Sequence, residues 1–146
     1  MRSQGMSVRS NRAALQAVIA VCGLVPTGAG LAGMVMGPSL AGVVVADASL
    51  DSHFRYLSGL LLAIGLLFWS AIPTIERQGW LVRALTLIVV VGGLGRVMSA
   101  LTVGEPDLPM RLALVMELGI TPAICLWQFY LERQLQPAIK AEARSA

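Results

Sequence analysis

The sequence predicts an all-α fold, a four-helix transmembrane bundle with antiparallel up-down helices and both termini on the cytoplasmic side. Three observations lead there. The 146 residues are 56% hydrophobic and 13% charged, with a mean hydropathy of +0.74, whereas soluble domains carry about 25% charged residues. Four apolar runs occupy about 13–36, 54–72, 80–101 and 110–131, close to the roughly 20 residues that cross a hydrocarbon core of about 30 Å. The basic residues of the flanking segments split eight to two, and the richer side belongs in the cytoplasm.

The first run is uncharged and follows Arg2, Arg9 and Arg12. It continues past Pro26, well beyond the apolar core of roughly 7–15 residues expected of a signal peptide. Val21 stands before Cys22, where a lipoprotein needs a small residue, so the run reads as a retained first span. Pro38 ends it, and the connection to about Ser52 carries the apolar patch Val43-Val44-Val45. Asp51 and Ser52 are candidate caps for the second helix, because their side-chain oxygens can accept from free backbone N–H groups.

The second span stops before Pro73, and a short polar link with Glu76 and Arg77 leads to the third. That span carries Arg83 at its start and Arg96 well inside. Gly104, Pro106 and Pro109 form the next turn. The fourth span contains Glu117 and Pro122 and ends in a polar tail too short for a second domain. The chain therefore reads as one membrane domain over 1–146, with polar tails at 1–12 and 132–146.

Orientation rests on Arg2, Arg9, Arg12, Arg77, Arg83, Arg133, Lys140 and Arg144 on one side against Arg55 and Arg111 on the other. Trp69, Trp80, Trp127 and Tyr130 fall near the same inner interface, as an aromatic belt does. The net charge of +3 and pI near 9.4 do not indicate nucleic acid, since the basic residues form no continuous face. Cys22 and Cys125 lie in apolar runs and read as small hydrophobes, and a single His53 cannot build a histidine metal centre. No metal site, cofactor or catalytic set is expected.

Arg96 and Glu117 are the informative pair. An ionisable residue within a span faces the bundle interior and needs a partner. At about 1.5 Å per residue, Arg96 sits roughly 8 Å and Glu117 roughly 10 Å below the outer ends of their helices, so a salt bridge is geometrically reasonable. Gly92, Gly93 and Ser99 flank Arg96 as a small-residue stripe, and Arg55, Gly59 and Ala63 mark a similar face in span two. In span one, Ala29 and Gly33 form a small-xxx-small pair suited to helix contact. Pro122 cannot donate to Leu118, which leaves a carbonyl free near the acid. Asp51, His53, Arg55, Tyr56, Ser58, Arg96, Ser99, Glu117 and Thr121 fall in the outer half, while the inner half reads as almost purely apolar.

Asp51-x-x-Phe54-Arg55-Tyr56-Leu57-Ser58-Gly59, Gly95-Arg96-x-x-Ser99, Gly104-x-Pro106, Glu117-Leu118-x-x-x-Pro122 and Trp127 together resemble a family of small bacterial four-span integral membrane proteins, domain of unknown function 4345. The resemblance covers the chain from the first span to the fourth. It implies a four-helix membrane bundle in a bacterial inner membrane and brings no known activity.

Three functional expectations follow. The outer polar residues Arg96, Glu117, Arg55, Asp51, His53 and Ser99 can bind a small anion or a lipid headgroup, with the arginines as charge-assisted donors. Alternatively the small-residue faces pack in a homo-oligomer or on a larger membrane complex, which makes the protein an accessory subunit. An enzyme acting on a lipid-like substrate, with Glu117 as acid or base and His53 as proton carrier, has the least support. The Arg96–Glu117 pair can also serve as a lock on helix register.

Overall fold

The computed structural model describes residues 2–44 and 47–145, and side-chain surroundings for residues 9–44 and 47–135. Among the described residues the chain is all-α, without strands. Helices α1 (Arg2–Cys22) and α2 (Leu24–Met36) are followed by a 3₁₀ turn (Gly37–Ala41). Helix α3 (Ala48–Ala71) leads through a second 3₁₀ turn (Ile72–Thr74) to α4 (Gly79–Thr102). Helix α5 (Leu108–Val115) runs through a π-helical turn (Met116–Ile120) into α6 (Thr121–Ser145).

Four stretches are long and apolar enough to cross a membrane: Arg9–Ala41, Ala48–Thr74, Gly79–Thr102 and Leu108–Leu135. Their outward faces are apolar too. Leu31, Val35, Leu60, Leu66, Leu87, Val91, Leu94 and Leu126 are all exposed. Water would penalise so much uncovered hydrocarbon, while lipid welcomes it. This is a membrane protein.

Two compact units make up the fold. The first, Gln16–Pro73, is built on the antiparallel pair α2 and α3. Their seam follows from small residues. A side chain at Gly30 would meet the Leu62 Cα at 2.8 Å, and one at Gly33 would meet the Ser58 Cβ at 2.9 Å. Gly65 of α3 lies against Thr27, and Gly23 against the Trp69 ring. Contacts step down α2 as they step up α3, so the two backbones touch along most of their length. The expected pair Ala29–Gly33 is met at Gly33 and not at Ala29: Gly33 is buried with Gly30, Ser58 and Gly65, while Ala29 and Ala63 are exposed. Both choices satisfy a small-residue spacing, and only packing decides between adjacent stripes.

Most side-chain polar groups in this unit are satisfied locally, the buried Thr27 hydroxyl being without a partner among the described residues. Gln16 donates to the Ile72 carbonyl at 2.7 Å, Trp69 to the Ala20 carbonyl at 3.1 Å and Ser58 to the Phe54 carbonyl at 2.7 Å. The cap of α3 is Asp47, which accepts from the Leu50 N–H at 2.7 Å. Asp51 lies inside the first turn instead and pairs with Arg55, and Ser52 is likewise within the helix. The apolar run alone marks the cap too late, because α3 begins with the polar stretch before it. Of the expected interfacial patch, Val44 is exposed and Val45 lies outside the described residues.

The second unit joins the N-terminal stretch up to Leu15 with the chain from Thr74 onward. Here α4 runs antiparallel to α5, the π turn and α6. Gly79 lies against Glu132 at one end, and Gly93 against Leu118 and Glu117 near the other. Val82, Leu85, Ile124 and Leu131 are buried between them. The connection after α4 turns at Gly104, whose φ of 128° favours glycine. Asp107 then caps α5 by accepting from the Met110 N–H at 3.2 Å, with Pro109 in the first turn.

One end of this unit corrects an expectation. Its sequence reads as almost purely apolar, yet it holds a polar network. Gln128, fully buried, donates to the Ile75 carbonyl at 3.0 Å and to Glu132 at 3.4 Å, and Arg83 also reaches Glu132 at 3.4 Å. Arg12 pairs with Glu76 at 2.9 Å, and Trp127 donates to Asn11 at 2.9 Å. Arg133 stacks over the Phe129 ring at 4.3 Å. Arg12, Arg83 and Arg133 thus hold structure as well as charge. The side chains of Arg2, Lys140 and Arg144 lie outside the described residues.

The seam of the first unit can be tested by overpacking. Gly30→Leu forces a side chain against the α3 backbone and is expected to cost about 1–3 kcal/mol in thermal unfolding in mild detergent. Gly28→Leu enters open space and is expected to stay within about 0.5 kcal/mol of wild type. Equal effects at both positions would contradict the glycine seam.

Candidate functional site

Arg96 and Glu117 meet in the second unit. Arg96 Nε donates to Glu117 Oε1 at 3.0 Å. The side chain of Glu117 is 16% exposed and that of Arg96 37%. Gly93, one turn before Arg96, makes the approach possible, because a Cβ there would sit 3.1 Å from the Glu117 Cβ. Gly92, expected on the same stripe, faces open surroundings instead, and Ser99 is exposed beside Arg96.

Glu117 owes its placement to the π turn, which periodicity does not reveal. Pro122 has no N–H, and its ring crowds the carbonyl four residues earlier. The helix widens just before it. Met116 O accepts both the backbone N–H of Thr121 and its hydroxyl, the latter at 2.8 Å. Such single wide turns arise where one residue more must fit into a helix. The signal in the sequence is Thr121-Pro122 after Gly119, but proline alone does not specify a π turn over a kink.

The remaining donors of Arg96 are lightly used. Nη1 contacts the Met110 sulfur at 2.9 Å, and a thioether is a weak acceptor. Among the described residues Nη2 has no acceptor. A cleft of about 140 Å³ opens beside the guanidinium, lined by Arg96, Ser99, Ala100, Gly104, Pro106, Met110 and Leu114. Its wall is one cation, one exposed hydroxyl and otherwise small or apolar groups. Glu117 Oε2 is buried and has no hydrogen-bond partner among the described residues. Sequence reasoning missed Met110 and the loop residues Gly104 and Pro106 as lining groups. They come there because the Gly104 turn folds the start of α5 back beside α4.

Asp51 and Arg55 form the corresponding pair of the first unit, with different consequences. Arg55 Nε meets Asp51 Oδ2 at 2.8 Å and Nη2 meets Oδ1 at 3.1 Å. Nη1 donates to the carbonyl of Met34 and to that of Val35, the latter at 3.0 Å. These carbonyls belong to the last turn of α2, which has no amide partners for them. Arg55 therefore caps α2 while Asp51 orients it. Its guanidinium is committed to protein acceptors. His53 lies between them in sequence, on the opposite side of the helix, exposed and without a hydrogen bond among the described residues. Cys22 and Cys125 are free thiols, half-buried. Among the described residues no group of three or more His, Cys, Asp or Glu is placed to hold a metal.

No curated protein and no solved structure matches the chain. The family described as a domain of unknown function (DUF4345) matches residues 14–128, which takes in most of each of the four membrane-length helices and the pairs Asp51–Arg55 and Arg96–Glu117. With its motifs and its fold in agreement, the chain belongs to the DUF4345 family.

Proposed function

We propose that this protein holds an anionic oxygen group, of the phosphate type, in the cleft beside Arg96. Such a group comes from a lipid headgroup or from a free small anion. The supporting observation is the uneven use of the Arg96 guanidinium. One N–H is fixed by Glu117, one rests on a thioether and the Nη2 group is open. Charge-assisted hydrogen bonds from arginine to oxyanions are strong and directional. The Ser99 hydroxyl adds a further donor on the cleft wall. Glu117 orients the cation, and Arg55 with Asp51 acts as a clamp on α2 and α3.

In this reading the protein sits in a bacterial inner membrane with both termini cytoplasmic and the cleft in the outer half. The eight-to-two division of basic residues supports this orientation, as do the highly exposed Trp80 and Tyr130 on the basic side. A C-terminal green fluorescent protein fusion is expected to fluoresce and a C-terminal alkaline phosphatase fusion to be inactive. The reverse pattern would overturn the orientation.

A second reading, as an accessory subunit, is favoured by one observation. A Cβ added at Gly92 or Gly95 of α4 would have nothing within 4 Å, and Ser99 on the same face is exposed. Small residues of this kind let another helix approach closely. Crosslinking in native membranes that recovers a second subunit from wild type, and not from Gly95→Leu, would favour it. No arrangement of a nucleophile and a base among the described residues supports an enzymatic reading.

The anion site is tested by native mass spectrometry of protein extracted in mild detergent and supplied with phosphatidylglycerol. Arg96→Met is expected to lower retention about tenfold or more, since one charge-assisted bond contributes about 1.5–3 kcal/mol. Unchanged retention in a folded variant would remove the site and leave the pair as a register lock.

A further inference from the structure

We infer that anion binding at the Arg96 cleft is coupled to the uptake of one proton by Glu117. This rests on the reading of that cleft as an anion site and adds a linkage that the reading does not contain. Four side-chain polar atoms among the described residues are buried without a partner, on Thr27, Thr86, Gln128 and Glu117. Only Glu117 among these residues can change its charge.

The empty site is neutral as a pair, one guanidinium against one carboxylate 3.0 Å away. An incoming oxyanion adds a second negative charge beside the same cation. Two anionic oxygen groups crowded into a partly buried site with one cation repel each other, and one of them neutralises. A phosphodiester or a sulfate is too weak a base to take the proton. The carboxylate takes it.

The geometry provides the place. Oε1 can keep its bond from Arg96 Nε, while Oε2, buried and without a partner among the described residues, is the oxygen that holds the proton. With a singly charged phosphodiester the bound state then carries one cation, one anion and a neutral carboxylic acid, and charge is again balanced; with doubly charged sulfate the proton removes one of two excess negative charges. The other charged groups of this region are exposed, Glu105 among them in the turn beside the cleft. On α4 the group facing Glu117 is Arg96, and the face around it is Gly93. On α5, Arg111 and Asp107 are exposed, and Asp107 is committed to the Met110 N–H. On α6 the neighbour is Thr121, whose hydroxyl is committed to Met116.

The sign of the linkage follows directly. The loaded site holds one proton more than the empty one, so affinity falls as pH rises, by up to about tenfold per pH unit. The experiment is isothermal titration calorimetry of the full chain in uncharged detergent, in buffers of different ionisation enthalpy. The probes are dihexanoyl-phosphatidylglycerol and sodium sulfate, both fully ionised between about pH 5 and pH 8. The expected result is uptake of about one proton per anion bound by wild type. Binding of the lipid probe alone would identify a headgroup site, and binding of both a general oxyanion site. Glu117→Gln is expected to bind without proton uptake and without pH dependence. Wild-type binding with no proton uptake would overturn the coupling and leave the anion site standing. Failure of both probes to bind wild type would overturn both. The wild-type proton count is decisive even if the variant does not fold.

Discussion

Hydrocarbon offers a polar group no partner, so a donor or acceptor inside a span is costly unless it finds one within the protein. Most of this fold can be traced to that constraint. Gln16, Ser58 and Trp69 each spend their polar atoms on a backbone carbonyl. Gln128 reaches the Ile75 carbonyl, in a link where helical bonding has ended. Arg55 supplies donors to the last turn of α2, and Asp51 offsets its charge. Glycine makes these meetings possible. At Gly30, Gly33 and Gly93 the absence of a side chain brings one helix within bonding reach of the next.

The pairs Asp51–Arg55 and Arg96–Glu117 illustrate how context separates structure from a candidate site. Both arginines face a carboxylate. Arg55 meets two carboxylate oxygens and two carbonyls, which leaves its guanidinium committed. Arg96 meets one carboxylate oxygen and one sulfur, beside an open cleft. The same side chain is a cap in one setting and an available cation in the other. Glu117 is equally incomplete, with one oxygen bonded and one orphaned. The π turn starts beside Glu117, which meets Arg96 behind the cleft wall, so Pro122 shapes the site without lining it.

Much of the architecture is legible in the sequence because lipid imposes a long, uninterrupted apolar signal. The four spans, the turn at Gly104 and the meeting of Arg96 with Glu117 all follow from length, turn residues and matching depth. Finer features do not. Asp47 precedes the apolar run, so hydropathy cannot mark it as the cap of α3. Ala29-xxx-Gly33 and Gly30-xx-Gly33 satisfy helical spacing equally well, and only the partner helix selects the second. The π turn shifts every later residue by a fraction of a turn, which periodicity in a uniformly apolar helix cannot register. The Gln128 network draws on Asn11, Arg12, Ile75 and Glu132, residues distant in sequence and unremarkable individually. His53 is chemically rare in this chain, but rarity says nothing of where a side chain points.

Arg96 and Glu117 matter here as one unit rather than as two separate charges. A double-mutant cycle with Arg96→Met, Glu117→Gln and the double variant, read by unfolding in lipid-detergent micelles, measures that coupling directly. The expected result is a coupling of about 1–3 kcal/mol, with the double variant closer to wild type than the sum of the single losses. Additivity within about 0.5 kcal/mol would mean that the two charges stand independently, and would contradict the account.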